Sequence, residues 1–168
     1  MYEFVRVLHS LNRWVVLVLL ATVVILGFRG WRARAAWTPR DHRIARMATG
    51  VIDLQMLLGL LLYVFLSPYT RSGFRDIAAA MADQTLRFWL VEHAPAMAVA
   101  VVLVHVGMDR TSRALAGDTD AVSTLESGDR SWAGHRTVTI WFGLAMVVIL
   151  AAIPWPFLPY GRPLLSFP

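Results

Sequence analysis

The chain has 168 residues, 57% of them hydrophobic and only 16% charged, with a mean hydropathy of +0.55; soluble domains carry about 25% charged residues. Its formal net charge is +5 and all 16 basic residues are arginine, but they gather beside the ends of apolar stretches, which fits lipid headgroups and argues against nucleic acid. No cysteine is present, which excludes disulfides, thiolate-held iron–sulfur clusters and covalent c-type haem attachment.

Crossing the hydrocarbon core takes roughly 20 mainly apolar residues. Segments 4–28, 44–66, 86–108 and 135–153 meet that requirement, and too little chain remains for a second domain. The expectation is one all-α unit over residues 1–168, a transmembrane four-helix bundle.

The first segment is followed by Arg29, Arg32, Arg34, Arg40, Arg43 and Arg46, and the third by Arg110, Arg113, Arg130 and Arg136. The second loop carries only Arg71, Arg75 and Arg87, and the C-terminal tail only Arg162. The positive-inside rule then puts loops one and three in the cytoplasm and both termini outside. Arginines at the far end of the first apolar stretch also favour an uncleaved helix over a signal peptide. Trp31, Trp37, Trp89, Trp132 and Trp155 fall at span ends and suit an aromatic belt.

The first helix opens with Arg6, His9 and Arg13, whose spacings of three and four put them on one face. Arg13 lies inside the span, where a cation costs at least ~2.5 kcal/mol, so it should face protein or water. The stripe suits an anionic group beside an imidazole, such as a haem propionate. The competing reading has both arginines snorkelling to headgroups while His9 hydrogen-bonds at the interface.

Between the first two helices, Thr38 or Asp41 is placed to cap the second. That helix holds His42, Arg46 and Asp53 roughly on one face, with Gln55 about 200° around from Asp53. Asp53 is an ionisable group well inside a span and therefore a functional candidate. Gly59, one turn past Gln55, admits close helix contact or a flat cofactor, the former being the commoner use of a small residue. Ser67-Pro68 ends the helix, and residues 74–82 read as a short helix on the outer surface.

In the third helix His93 follows Arg87 by six residues, as His9 follows Phe4 by five. Both lie roughly 8–9 Å along helices entering from the same side, so they can meet across the bundle as axial haem ligands. Pro95 removes the hydrogen bond to the Val91 carbonyl and should bend the helix beside His93. Glu92 needs a partner, Arg13 or Arg87, or else serves proton transfer.

At the opposite end lie His42, His105 and His135, with His105 and His135 the favoured pair for a second haem iron. His93 and His105 are twelve residues apart, which leaves them about 120° from sharing a face and weakens the case for a second haem. Residues 111–134 read as a Gly/Ser/Asp-rich loop. The fourth helix should stop at Ile153-Pro154-Trp155-Pro156-Phe157, where neither proline can donate a helical bond.

The stretches His9-Ser10-Leu11-Asn12-Arg13-Trp14, Leu54-Gln55-Met56-Leu57-Leu58-Gly59-Leu60, Arg87-Phe88-Trp89-Leu90-Val91-Glu92-His93 and Ile153-Pro154-Trp155-Pro156-Phe157 resemble small bacterial four-helix integral membrane proteins of the cytochrome b-like type. The resemblance covers nearly the whole chain. It implies His9, Gln55, Glu92, His93 and His135 as the functional polar positions, and some members of that type carry a histidine where this chain has Asp53.

Together these readings lead to a multi-pass protein of the bacterial inner membrane that passes electrons between quinol and a partner or small acceptor. Haem b would be held by His9 and His93, Arg13 and Arg6 would hold its propionates, and Glu92, Gln55 or Asp53 would serve a proton or quinone site. Two other readings stay open. One is a haem-free accessory subunit of a larger respiratory or photosynthetic complex, its buried polar groups fixing helix register by bonds of ~0.6–2 kcal/mol each. The other is a membrane protein that binds quinone or metal without haem.

Overall fold

The computed structural model of the chain describes residues 1–120 and 132–163, the side chains of 114–120 excepted. It is all-helical there, with four helices long and apolar enough to cross a membrane. Helix α1 runs Tyr2–Arg32 and α2 Pro39–Leu61, continued by a wide π turn Leu62–Leu66. Three short helices follow, α3 Pro68–Arg75, α4 Ile77–Ala82 and α5 Gln84–Arg87; a second π turn, Phe88–Glu92, leads into α6, His93–Asp120, and α7 is Ala133–Ala152.

The helix ends follow from side-chain chemistry. Thr38 caps α2 by accepting from the Asp41 amide, and the Asp41 carboxylate accepts from the Thr38 amide at 2.9 Å. This reciprocal box, with Pro39 in the first turn, starts α2 five residues before its apolar stretch. The expected surface helix over 74–82 is instead broken at Asp76, which leaves helical backbone to accept from the Ala79 amide at 2.9 Å. Asp83 does the same for α5 through the Leu86 amide, at 2.7 Å. Short acceptor side chains compete with the helical ladder, and here they win.

The loop expected over 111–134 is also shorter. Helix α6 continues to Asp120, with Thr111 buried and its hydroxyl donating to the Gly107 carbonyl at 2.8 Å. The remainder of that loop, 121–131, lies outside the described residues.

Helix α1 packs against α2 and α7, and α6 packs against the same two, so the four long helices form a ring in the order α1, α2, α6, α7. Their shared core holds Val16, Leu20, Val23, Ala48, Ile52, Val104, Val138, Phe142 and Ala145. Small residues set the closest crossings. A Cβ on Gly27 would come within 2.7 Å of Thr139 Oγ1, and one on Gly107 within 2.8 Å of the Trp141 Cβ. Close backbone approach of this kind is how helices associate where no hydrophobic driving force separates them from lipid.

Every long helix turns large apolar side chains outward: Val18 is 64% exposed, Leu57 63%, Val102 60% and Val147 65%. Such a belt would be a liability in water and is what a hydrocarbon environment accepts. The start of α1, the end of α2, the start of α6 and the end of α7 share one end of the bundle. Short helices α3–α5 pack over that end against both π turns.

Candidate functional site: a two-histidine cavity

At the end of the bundle where the chain begins, the four long helices enclose a cavity of about 390 Å³. Its walls are mostly apolar, with Val16, Ile52, Met56, Met97, Val101 and Ile149 among them. His9 and His93 both line it. Among the described residues three arginines line it as well, Arg6, Arg13 and Arg162, and no aspartate or glutamate does.

The orientation of His93 is written into the end of α7. In an α-helix the carbonyl of residue i takes its proton from the amide of residue i+4. For Leu150 and Ala152 those donors would be Pro154 and Pro156, which have no N–H. Two carbonyls are thereby released to side chains. The Trp155 indole N–H donates to Leu150 at 2.9 Å, and Nδ1 of His93 pairs with Ala152 at 2.8 Å. A carbonyl only accepts, so Nδ1 carries the proton and the neutral ring keeps its lone pair on Nε2.

His9 is placed differently. Its main-chain carbonyl accepts from the Gln55 amide group at 3.0 Å, and Gln55 in turn accepts from Asn12 at 2.9 Å. Asn12 also donates to the Val51 carbonyl at 3.2 Å, so three polar contacts lock α1 to α2 beside the cavity. The His9 ring itself has no hydrogen bond among the described residues, and its Nδ1 is buried. A Cβ on Gly59 would lie 3.1 Å from His9 Cε1, so the absence of a side chain at Gly59 makes room for the imidazole. A buried polar atom without a partner costs about 1–3 kcal/mol, and Trp37 Nε1, His42 Nδ1, Trp89 Nε1 and His135 Nδ1 share that condition.

The arginines are held in different ways. Arg6 pairs with Glu3 on its own helix, Arg13 stacks 5.4 Å from the Trp14 ring and approaches the Ser10 hydroxyl at 3.4 Å. Arg162 comes from beyond α7. Its amide donates to the Pro154 carbonyl at 3.0 Å, folding the tail back, and its guanidinium sits 4.6 Å from Tyr69 and 4.9 Å from Trp89. Tyr160 stacks on Phe88 at 3.8 Å, fastening the same segment. The sequence offered Arg162 only as the tail's one basic residue; two aromatic partners far away in the chain give it its place.

Other expected site residues lie elsewhere. Glu92 is outside the cavity wall, half-exposed and paired with Arg87 at 2.9 Å. Asp53 also lies outside and meets His105, Nε2 to Oδ1, at 2.8 Å. The expected pairing of His105 with His135 does not form. His135 is buried against Trp37, ring centroids 4.9 Å apart, with Nε2 3.3 Å from the Ala36 carbonyl. Its ring fills the space over Gly30, where a Cβ would meet Nδ1 at 2.4 Å. Trp37 is thus buried under His135 instead of standing in an outer belt. Among the described residues no group of three or more His, Cys, Asp or Glu side chains could hold a metal ion.

Two imidazoles lining an apolar cavity, with three arginines and, among the described residues, no acid in its wall, can hold a flat metallated ring that carries carboxylates. No family model, curated protein or solved structure matches this chain.

Proposed function

We propose that the protein is a b-type cytochrome of the bacterial inner membrane. It holds one haem between His9 and His93 and passes electrons between quinol and a partner or small acceptor. The observation that carries this reading is the bond from His93 Nδ1 to Ala152. A ring N–H fixed on a main-chain carbonyl is the outer-shell arrangement that orients a metal-ligating histidine and makes its other nitrogen a better ligand.

The residues present fit the group. His9, which lines the cavity and whose ring makes no hydrogen bond among the described residues, would supply a second nitrogen to the iron. Arg6, Arg13 and Arg162 supply positive charge for the propionates, and the apolar walls accept the macrocycle. Haem would contribute a one-electron carrier, and two histidines leave no open iron position, which favours electron transfer over oxygen chemistry. Gln55 acts by holding the backbone at His9. Glu92, bound to Arg87 away from the cavity, is structural in this scheme. The arginine distribution supports placing the cavity end on the outer side.

A second haem between His105 and His135 does not fit, because His105 is engaged by Asp53 and His135 is packed into the α1–α7 contact.

The test is the absorption spectrum of protein expressed with adequate haem, oxidised and reduced. A Soret band and a reduced α-band are expected, and each is lost in His9→Ala and in His93→Ala. A colourless wild-type protein would overturn the reading, and so would unchanged ligation in either variant.

A further inference from the structure

Asp53 and His105 form a second polar feature in the membrane-spanning region, on the outside of the bundle. Neither lines the cavity, and their side chains are 46% and 53% exposed. Around them the outward surface is apolar, with Leu54, Leu57 and Val102 exposed. Asp53 lies seven residues past Arg46 and His105 five short of Arg110, which sets the pair some ~7–11 Å inward from the arginines at that end. Placed in a bilayer, these groups front acyl chains. Ionisable side chains in such a position ordinarily turn inward or are covered.

The pair presents hydrogen-bond acceptors to the lipid. With a neutral imidazole beside an ionised carboxylate, Nε2–H of His105 donates to Asp53 and Nδ1 keeps its lone pair. Neither Nδ1 nor the second carboxylate oxygen has a partner among the described residues. A ligand for this site therefore arrives through lipid and brings hydrogen-bond donors, which a hydroxyl supplies. Gly50, one turn from Asp53 on the same exposed face, has open space where a side chain would stand, so a flat ring can lie beside the pair. A hydroxylated aromatic ring on a lipid tail meets all three demands.

We propose that Asp53 and His105 form a lateral binding site for the ring of a quinol drawn from the bilayer, its hydroxyl donating to His105 Nδ1. Asp53 holds the imidazole in the tautomer that accepts this bond, as a carboxylate does for the histidine of a catalytic triad. Ile52 and Gln55 on α2 and Val101 on α6 line the cavity from the same two helices. The bound ring therefore lies about one helix diameter, roughly 10–12 Å, from the cavity. This placement deepens the proposed electron-transfer role, but binding itself needs only these residues, whether or not the cavity is loaded.

The full chain in phosphatidylcholine nanodiscs, prepared with and without haem, is photolabelled with an azido-quinol. Labelling is expected on α2 and α6 beside Asp53 and His105, competed by excess short-tailed quinol. Asp53→Leu with His105→Leu should weaken binding about tenfold or more, the scale of one lost hydrogen bond. Gly50→Leu, at a position where the side chain meets nothing in the fold, should weaken it by obstruction while the helix content stays unchanged. Labelling at other sites, or labelling that survives both variants, overturns the proposal. So does conversion of a dimer to a monomer by the double leucine variant with labelling unchanged, since that assigns the pair to a helix–helix contact. A missing Soret band leaves this result standing, so the two readings fail separately.

Discussion

Nδ1 of His93, the first residue of α6, lies 2.8 Å from the carbonyl oxygen of Ala152, the last residue of α7. That acceptor is free because Pro156 cannot supply the helical donor. Replacing both prolines, Pro154→Ala with Pro156→Ala, should let α7 continue another turn and take the carbonyl away from His93. Nitrogen NMR of the labelled histidines checks this: in the wild type His93 is protonated at Nδ1, and in the double variant that preference is lost. An unchanged His93 signal would mean that the carbonyl does not set the tautomer.

Gly59→Leu should displace His9. The wild-type ring already stands at contact distance from the place a Cβ would take, and forcing extra bulk into a packed site typically costs about 1–3 kcal/mol. In haem-loaded protein the expected result is lost or altered axial ligation in a chain that remains helical by circular dichroism. Gly59→Ala should be much milder, since the neighbour needs to give only slightly.

Gln55→Leu removes the bonds to the Asn12 side chain and the His9 carbonyl. Leaving those groups unsatisfied should destabilise the bundle by about 1–3 kcal/mol, measured by denaturant titration in detergent. Retained stability would show that water replaces the amide.

Arg162→Gln removes a cation held between Tyr69 and Trp89, a contact worth ~0.5–2 kcal/mol. The tail should then loosen. Faster hydrogen exchange at the Gly161 amide, which donates to the Leu158 carbonyl at 2.8 Å, is the expected readout. The amides of α7 should keep their protection.

Thr38→Ala takes away the capping hydroxyl of α2 and should cost about 1 kcal/mol. Because the cap lies at the end of the bundle opposite the cavity, pigment content should not change. Loss of pigment would indicate that the two ends are coupled.

The spans, their approximate ends, the Thr38 cap and the terminal prolines were legible because each is a local property of the chain. The relation between Asp53 and His105 was not. It joins residues 52 positions apart and depends on α2 and α6 being neighbours in the ring, which apolar runs do not encode. His135 was misjudged for a similar reason: its burial comes from Trp37 in the first loop and Gly30 at the end of α1. Arg87 with Glu92 shows a subtler limit. The sequence left Arg13 and Arg87 open as partners for Glu92; residues five apart point about 140° away from each other on an α-helix, so the choice of Arg87 is readable only once the turn between them is known to be wide.

That wide turn, Phe88–Glu92, has a consequence for how the chain can vary. A π turn holds one residue more than the α turn it replaces, closing on an i+5 bond, here from the His93 amide to Phe88. Winding the same residues as ordinary α-helix would rotate everything downstream by about 100° relative to α5 and carry His93 away from Ala152. Losing one residue from the turn at the same time would cancel that rotation, because the π turn already fits its extra residue into about one turn. The segment therefore works as a register adjuster: it takes up one residue of chain length while His93 keeps its bearing.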